Sequence, residues 1–339
     1  MEKPSLQIGS GNWSIKEDEL LGYRRVGNNY SPQPITMTRE SAGTRVNPEG
    51  LVETVELLGS ELVEDGGFSS SADWNPNLGW SIADNKASND GTGGILRQTN
   101  TVPLNTKFKV VFTVADYVTG NIQIKFAPIT QTIVITGDAT YTIYTDGNNS
   151  VNGDLQIIAT SSFQGSITNI SVKEVTRDNV PRIDYTGGGC PHILAEPMRT
   201  NLLPYSSDFS QWSEVSGASV AINTAISPNG ETDADTFTFD GTTYGRLEKT
   251  TAVTNGNTYS FSVYLKNNNL SDVTQVWLGF SQTGQGEFVT ITNEWQRYET
   301  VQVANGSNEY PRVQFTGTGS LYAWGAQLEE GSYATSYIP

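Results

Sequence analysis

Short runs of β-forming residues, separated by turn residues, follow one another along two stretches of the chain, residues 59–176 and 201–332. Turns at a spacing of roughly 8–12 residues are typical of β-sandwiches and jelly rolls. No helical periodicity of useful length interrupts them. The stretches align loosely at their ends, where Phe68 corresponds to Phe209 and residues 165–167 to 319–321. We therefore predict an all-β fold of two tandem jelly-roll or β-sandwich domains, duplicated at the level of the fold.

The alternation of β-forming residues also places the individual strands. The predicted strands of the first domain are 95–101, 108–117, 122–127, 132–136, 140–145, 155–161 and 166–175. The predicted strands of the second domain are 219–223, 235–240, 244–250, 258–266, 275–280, 287–292, 296–304, 312–316 and 320–328.

Segments beside these stretches complete the predicted organisation. The six predicted parts are an N-terminal arm at 1–35, a β-hairpin connector at 36–58, the first jelly roll at 59–176, a second β-hairpin connector at 177–200, the second jelly roll at 201–332 and an extended tail at 333–339. The arm is polar and irregular, and residues 15–21 predict one or two helical turns behind Ser14 as N-cap. Such an arm either becomes ordered against a partner or is a disordered tail.

Each connector carries the pattern of a hairpin. Residues 47–50, Asn-Pro-Glu-Gly, form a turn between two short β-forming runs. In the second connector, 182–185 and 192–195 are the strands and the glycines at 187–189 are the turn. We predict an ordered joint that fixes the angle between the two domains. Its structural residues are Arg45, Asn47, Glu196, Pro197, Arg199 and Asn201.

The second connector also holds the one cysteine and the one histidine of the chain, Cys190 and His192. A structural zinc site needs about four ligands, and a Cys–His nucleophile needs a base that a third group orients. We therefore interpret both as ordinary parts of the joint, and we expect Cys190→Ser to leave function intact. A single cysteine also excludes an intrachain disulfide.

The charge balance limits the classes of partner. The formal net charge is −16, whereas a nucleic-acid backbone requires a basic face, so we expect no nucleic-acid partner. No run approaches the roughly 20 apolar residues of a membrane helix, so we expect no membrane insertion. The first residues contain no apolar segment typical of a signal peptide.

Aromatic side chains are the candidates for binding sugars, because pyranose C–H faces pack against flat apolar rings while polar neighbours fix the hydroxyl groups. The candidate glycan-binding residues are Trp74, Trp80 and Tyr117 in the first domain and Tyr244, Trp277 and Trp295 in the second, with Arg246 and Gln275 beside the second set. The alternative is that these rings fill the sandwich cores. Trp74 and Trp80, in a loop rich in Asp and Asn, are the better candidates for exposure.

No catalytic residue, metal ligand or cofactor site is predicted. Glycoside hydrolysis needs two carboxyl groups that face each other across a cleft. The acidic clusters are 17–19, Asp233 with Asp235, and Glu329 with Glu330, and all lie in polar runs that indicate solvated side chains. The glycine run 91–94 has no following helix that would make it a phosphate-binding loop. We therefore expect a protein without enzymatic activity.

Several stretches resemble the C-terminal modules of tailed-bacteriophage virion proteins. They are NLL followed by DFSQW at 201–212, the closing WGAQLEEGSYATSYIP at 324–339, TRESAGTRVNPEGLVE at 38–53, and PRIDY with CPHILAEPMRTNLL at 181–203. In such proteins this pair of hairpins commonly precedes a jelly roll related to carbohydrate-binding modules. The resemblance covers residues 36–339, but the middles of the two domains are only generically β.

The resemblance implies a non-enzymatic structural protein of the virion surface, of head-fibre, capsid-decoration or tail-associated type. It implies an N-terminal arm that anchors to other capsid or tail proteins, and a homo-oligomer, a trimer in fibres, that displays the jelly rolls toward host-surface or environmental glycans. One alternative is a dedicated glycan-binding adhesin or receptor-binding module. A third interpretation is an accessory part of a polysaccharide-degrading enzyme.

The resemblance also bears on calcium and on the cores. In carbohydrate-binding modules of this type, an acidic residue often follows the early Phe and an Asp near the last strand completes a structural calcium site. The corresponding residues here are Ser69, Ser210, Asn169 and Ala323. Hard oxygen ligands are therefore few, and calcium is not favoured, although backbone carbonyls could supply a site. Trp212 and Trp324 match positions in the core.

Overall fold

The computed structural model describes residues 13–16, 19–26, 29–34, 43–99, 102–103, 105–126, 129–145, 153–160, 162–187, 191–241, 244–270, 275–280 and 286–339, with the backbone alone for 13–34 and 129. The chain divides into two compact units. Unit 1 comprises Met1–Val55 and Asp178–Pro339, and unit 2 is the continuous segment Glu56–Arg177. Among the described residues, the one helical element is a 3₁₀ turn at Phe209–Gln211. The chain is all-β, as the sequence predicts.

The amino-terminal part of unit 1 is strand rather than helix. Its strands are β1 (Trp13–Lys16), β2 (Glu19–Val26), β3 (Asn29–Pro34), β4 (Thr44–Val46) and β5 (Val52–Thr54). The first three form an antiparallel sheet in the order β1-β2-β3, and β4 pairs with β5 as the predicted hairpin. The helical turns predicted at 15–21 are wrong. A helix that short is marginal, whereas the pairing of β1 with β2 satisfies the backbone groups of the same residues.

Unit 2 is an antiparallel β-sandwich. Its strands are β6 (Leu57–Glu61), β7 (Asn75–Pro76), β8 (Trp80–Ala83), β9 (Lys86–Asp90), β10 (Gly94–Gln98), β11 (Phe108–Thr119), β12 (Ile122–Phe126), β13 (Ile129–Ile133), β14 (Ala139–Tyr144), β15 (Leu155–Ala159) and β16 (Gln164–Thr176). One sheet has the order β13-β12-β15-β10-β7; the other has the order β14-β11-β16-β9-β8, with β6 also paired to β16. Alternate residues of β11 and β12 point inward and are fully buried, so the two sheets share one apolar core.

The larger part of unit 1 is a second sandwich. Its strands are β17 (Ile183–Asp184), β18 (His192–Ile193), β19 (Ser213–Val215), β20 (Ala218–Ala225), β21 (Ala234–Asp240), β22 (Gly245–Glu248), β23 (Thr251–Ala252), β24 (Thr258–Asn267), β25 (Gln275–Phe280), β26 (Gly286–Thr290), β27 (Gln296–Val303), β28 (Asn308–Glu309), β29 (Pro311–Phe315) and β30 (Thr318–Glu330). We call the sheet β19-β22-β29-β25-β26 the Trp277 sheet and the sheet β20-β21-β30-β24-β27 the tail sheet. Both contribute to one core cluster, which includes Trp212, as the resemblance implies.

The two sandwiches have the same topology. The sheet β13-β12-β15-β10-β7 of unit 2 matches the Trp277 sheet when the latter is written from its other edge, as β26-β25-β29-β22-β19. In the same way, the sheet β14-β11-β16-β9-β8 matches the tail sheet written as β27-β24-β30-β21-β20. Phe68 and Phe209 are both fully buried in their cores. The duplication predicted from the ends of the domains is therefore confirmed at the level of strand order.

The two predicted hairpins contact each other within unit 1. The Asp184 carboxylate accepts the Val46 amide proton at 2.8 Å, and the Tyr185 amide donates to the Val46 carbonyl at 3.0 Å. Arg45 and Asn47 shape the first hairpin, since both donate to the Glu53 carboxylate, at 2.7 and 3.1 Å. His192 Nε2 lies 3.8 Å from Asp184 Oδ1. Cys190 and most of the predicted glycine turn lie outside the described residues.

Three of the other predicted joint residues hold the carboxyl-terminal tail. Glu196 accepts from the Ser336 amide at 2.9 Å and from its hydroxyl at 2.8 Å. Arg199 donates to the Tyr333 carbonyl at 2.6 Å, and Asn201 donates to the Ile338 carbonyl at 3.0 Å. The joint and the tail are thus one element of unit 1.

The tail itself was predicted to leave the second domain, and that is wrong. The Tyr337 ring packs against Trp324, with 4.5 Å between centroids, and both rings are buried. Residues 333–339 therefore fold back onto unit 1, because burial of aromatic surface and the bonds to the joint outweigh the entropy of a free tail. The sixth joint residue, Pro197, is exposed.

Candidate functional site

The aromatic candidates of unit 2 do not gather on its surface. Trp74 is only 4% exposed; its ring lies 5.1 Å from that of Phe68, and its indole N–H donates to the Asp65 carbonyl at 3.0 Å. Trp80 is also buried, with its ring 6.1 Å from that of Phe163. The expected exposure of this pair is wrong, because the polar loop around them covers rings that complete the core.

The remaining candidate of unit 2, Tyr117, is half-buried against the same core and donates its hydroxyl proton to the Ile135 carbonyl at 2.9 Å. The outward face of the sheet β13-β12-β15-β10-β7 carries polar residues and one half-buried pair of isoleucines, Ile95 and Ile158. One row across it runs Arg97, Gln156, Lys125, Thr130. Among its described outward side chains there is no aromatic ring. This face offers nothing on which a sugar ring would stack.

The corresponding sheet of unit 1 has a different outward face. A row in register across the Trp277 sheet runs Arg246, Gln314, Trp277, Phe288. The residues that alternate with this row along β22, β25 and β29 are fully buried in the core, so the row itself points outward. Trp277 is half-buried, and Phe288 is 69% exposed. The register therefore places two aromatic rings side by side on an open surface.

The next row of the same face fixes the position of the Trp277 indole. It runs Glu248, Arg312, Gly279, Gly286. A side chain at Gly286 would overlap the six-membered ring of the indole, so the ring lies where that side chain would stand. The Arg312 guanidinium carbon lies 5.5 Å from the Trp277 ring centroid, within reach of a cation–π interaction. The indole is thus held against the sheet by its neighbours.

Charged and amide groups surround the two rings. Arg246 Nε donates to the Glu248 carboxylate at 2.9 Å, and Arg312 Nε lies 3.6 Å from the same oxygen. Arg312 also donates to the Gln314 side-chain carbonyl at 3.2 Å. Burial lowers the pKa of the Arg312 guanidinium, although the nearby Glu248 carboxylate acts in the opposite direction. Two cations therefore share one carboxylate on this face.

The other predicted residues of this domain divide between two places. Gln275 is exposed on β25, two residues before Trp277 and so on the same face. Tyr244 is 58% exposed and stands two residues before Arg246. Trp295 lies elsewhere: its indole N–H donates to the Ile226 carbonyl at 3.0 Å, and it packs against the cluster that contains Trp324. Phe288 was missed, because only its register opposite Trp277 gives it a role.

Unit 1 also contains a cavity of about 530 Å³ between the two hairpins, the tail and the tail sheet. Its charged lining groups are bonded to the protein itself. Arg297 donates to the Thr335 carbonyl at 2.5 Å and to the Ser262 hydroxyl at 2.9 Å, while Asp184 and Glu196 make the bonds described above. The cavity is therefore a by-product of the joint, and the Trp277 sheet is the better candidate for a binding site.

The acidic clusters contain buried members, which corrects their interpretation as solvated. Both Asp235 and Glu329 are fully buried. Asp235 accepts the Phe209 and Asn223 amide protons, each at 2.9 Å, and Glu329 accepts the Thr335 amide at 2.9 Å. Burial raises the pKa of Asp235. Each of these carboxylates closes a loop onto its sandwich.

The described residues contain neither a cluster of metal ligands nor a membrane-spanning helix. Among the described residues, no group of three or more His, Cys, Asp and Glu side chains is placed to hold a metal ion. In the same residues there is no helix with the length and apolar character that crossing a membrane requires.

No protein-family model and no curated protein matches the sequence. The structure is similar to the tandem CBM22-1–CBM22-2 domain of Paenibacillus barcinonensis Xyn10C, at 10% identity and TM-score 0.29, over 80% of this chain and 98% of that one. It is similar to TmCBM61 bound to β-1,4-galactotriose, at 15% identity and TM-score 0.31, over 39% and 99%. It is similar to the active domain of tailspike protein 4 of bacteriophage CBA120, at 11% identity and TM-score 0.28, over 38% and 21%. Likenesses this distant carry no argument about function.

Proposed function

We propose that the protein is a non-catalytic glycan-binding protein and that the outward face of the Trp277 sheet is its binding site. The observation that carries the proposal is the adjacent pair of rings, Trp277 and Phe288, on an open sheet face. Sugar rings stack on such a pair through their C–H faces. Arg246, Gln275 and Gln314 stand within the same or a neighbouring row and supply the hydrogen bonds that orient the hydroxyl groups.

The dimensions of the face suit a short oligosaccharide rather than a single sugar. The row from Arg246 to Phe288 crosses the four strands β22, β29, β25 and β26. With neighbouring strands about 4.8 Å apart, it spans roughly 14 Å. The corresponding face of unit 2 carries Lys125 and Gln156 in place of rings. The two sandwiches of the chain thus share one fold, but only the Trp277 sheet has aromatic rings on this outward face.

A glycan array followed by calorimetric titration tests the proposal. We expect the intact protein to bind at least one oligosaccharide, and Trp277→Ala and Phe288→Ala each to weaken that binding about tenfold, since stacked aromatic residues dominate such interfaces. Val118→Ala, which truncates a 63% exposed apolar residue of unit 2, is the control and leaves binding unchanged. Folded protein that binds nothing across a broad panel overturns the proposal.

We propose, second, that this glycan-binding protein is displayed on a virion. The motifs that carry the resemblance to virion proteins belong to one network: Asn201 of the NLL motif donates to the carbonyls of Ala326 and Ile338 in the closing motif. Glu196 of the joint bonds to Ser336 of the same closing motif. Such mutual dependence supports a shared module rather than chance similarity. The proposal includes an anchor in residues 1–35 to capsid or tail proteins, and a homo-oligomer.

Two measurements test the virion role. Deletion of residues 1–35 is expected to abolish incorporation into particles while circular dichroism shows both sandwiches still folded. A truncated protein that is still incorporated shows that the arm is not the anchor. Light scattering gives the mass of the purified protein, and a clean monomer of the full chain argues against a fibre-like assembly.

A further inference from the structure

We infer that the Trp277 face selects glycans whose sugar units carry a negative charge, such as uronates. The inference rests on the proposed glycan binding and adds the chemical class of the ligand. It follows from three charged side chains beside the rings, two arginines and one glutamate, which leave one positive charge without a counter-charge.

The face carries a surplus of positive charge in an otherwise acidic protein. Arg246 and Arg312 share the single carboxylate of Glu248, which leaves one cation unmatched, while the whole chain has a formal net charge of −16. The three side chains are 25%, 13% and 16% exposed respectively. Both guanidinium groups are poorly solvated and have only one carboxylate between them, so an added anion would stabilise them strongly.

Guanidinium donors remain for a ligand. The hydrogen bond of Arg246 to Glu248 uses Nε, and its two terminal nitrogens make no hydrogen bond to another described residue. Arg312 uses one terminal nitrogen on Gln314. A guanidinium fork matches the geometry of a carboxylate or sulfate with two parallel hydrogen bonds. An acidic sugar stacked on Trp277 would bring its charged group beside these donors, because Arg312 lies against the same ring.

A neutral glycan would use the face less well. Its hydroxyl groups accept hydrogen bonds but leave the extra cation without a counter-charge. The negative charge of the rest of the protein also repels a polyanion, so binding of an acidic polymer would mark a specific site rather than general attraction. The outward face of unit 2 also carries cations, Arg97 and Lys125, but it has no ring beside them. Of the two faces compared above, the Trp277 face is therefore the one that combines unmatched positive charge with a stacking surface.

Matched polymers test the inference with the full chain. We compare polygalacturonate with its carboxyl-reduced galactan, and dextran sulfate with dextran, by calorimetric titration at low and at physiological salt. We expect a charged polymer to bind at least about tenfold more tightly than its neutral parent, as a charge-assisted hydrogen bond predicts, and the preference to shrink as salt rises. Binding of both charged polymers indicates charge alone; binding of polygalacturonate only indicates a planar carboxylate.

Two variants separate charge from stacking. Arg246→Gln is expected to lower affinity for the charged polymer about tenfold and to leave affinity for the neutral polymer unchanged, whereas Trp277→Ala lowers both. Thermal melts verify that both variants are folded. Equal or tighter binding of the neutral polymers overturns the charge inference and leaves glycan binding standing. Binding of none of the four polymers, together with an empty array, overturns both.

Discussion

One glycine sets the position of the Trp277 ring. A side chain at Gly286 would overlap the indole and also the Leu278 carbonyl oxygen across the strand pair. Glycine within a strand commonly marks such a close approach of another group. The ring therefore lies along the sheet instead of standing away from it. The proposed binding surface depends on a residue that has no side chain and that no chemical pattern singles out.

Gly286→Ala is predicted to displace the indole and to abolish glycan binding. It also costs stability, because the new methyl group meets both the ring and a backbone oxygen. Adding Trp277→Ala removes the first of these overlaps but not the second. We therefore expect the double variant to be more stable than the sum of the single effects predicts, by about 0.5–3 kcal/mol in urea unfolding. Strict additivity would show that the ring does not occupy this space.

Tyr337 offers a test that depends on pH. Burial raises the pKa of its phenol from 10.0 to about 12, and its hydroxyl hydrogen-bonds with Ser206 at 2.8 Å. For an acid whose pKa is raised on folding, the native state favours the neutral form, so stability is complete below pH 10 and falls as pH rises toward 12. One pKa unit is 1.36 kcal/mol, so the wild type should lose about 1.4 kcal/mol through this residue by pH 11.

Tyr337→Phe is the matched comparison. At pH 7 it should be less stable than the wild type by about 0.5–1.5 kcal/mol, the usual value of one hydrogen bond, because the packing against Trp324 is kept. Since the variant has no phenol to ionise at this position, the gap should narrow between pH 10 and 11. Urea unfolding at pH 7, 9, 10 and 11 measures the difference in stability between the wild type and the variant. A difference that stays constant over this range contradicts a raised pKa for Tyr337.

At the scale of the element, the tail is held by a buried ion pair. Arg182 and Glu196 approach to 2.8 Å, with side chains 10% and 11% exposed, and Ser336 binds the same carboxylate. Glu196→Ala leaves the Arg182 charge buried and unpaired. Because such losses are strongly destabilising, we expect about 3–5 kcal/mol less stability.

Hydrogen exchange locates the effect of Glu196→Ala. Residues 333–339 should exchange faster than in the wild type, ahead of global unfolding. Lys86→Ala removes one partner of the exposed ion pair of Lys86 and Asp116, which are 2.7 Å apart, and is expected to cost less than about 1 kcal/mol. If the tail exchanges equally slowly in both variants, Glu196 does not hold it.

Long, strongly alternating strands were predictable from the sequence. The predicted strands 108–117 and 258–266 appear as β11 and β24 because apolar residues alternate with other residues over about ten positions in each. The strand β9 was missed because Lys, Asn and Asp make it poor in β-formers, and β8 was missed because its four residues are too few to show a clear alternation. The pairing of β9 with β8 on one side and with β16 on the other forms both strands instead.

The face of the site was only partly predictable. Trp277, Arg246 and Gln275 were named from residue type, and β-alternation explains why they share a face. Phe288 could not be found, since its place opposite Trp277 depends on the register of β25 with β26. Trp74 was misplaced because the sequence shows its polar neighbours and not its contact with Phe68.

At the scale of the whole molecule, two copies of one topology carry different surfaces. The two sandwiches are equivalent in strand order, but the compared outward face has aromatic rings beside its charged groups in unit 1 and charged groups without rings in unit 2. A duplicated fold can thus keep the same strand order in both copies while only one copy carries aromatic rings on this sheet face. The proposed function therefore rests on the residues of one face and not on the fold that both copies share.

The boundaries of the units give the last prediction. The core cluster of unit 2 consists entirely of its own residues, so a fragment of residues 56–177 should unfold cooperatively by itself. Residues 178–339 should fold but melt at a lower temperature than the full chain, because the buried residues Thr44 and Val52 are missing.

The fragment of residues 201–332, the second domain as the sequence alone delimits it, should lose cooperative unfolding. Without the tail, the buried Glu329 carboxylate has no hydrogen bond from Thr335, and the Trp324 ring has no contact with Tyr337. Calorimetry of the three fragments measures this order. If 201–332 unfolds as cooperatively and at as high a temperature as 178–339, the tail and the joint do not contribute to the stability of the sandwich. If 201–332 shows no cooperative transition, the joint and the tail are part of the core of the sandwich.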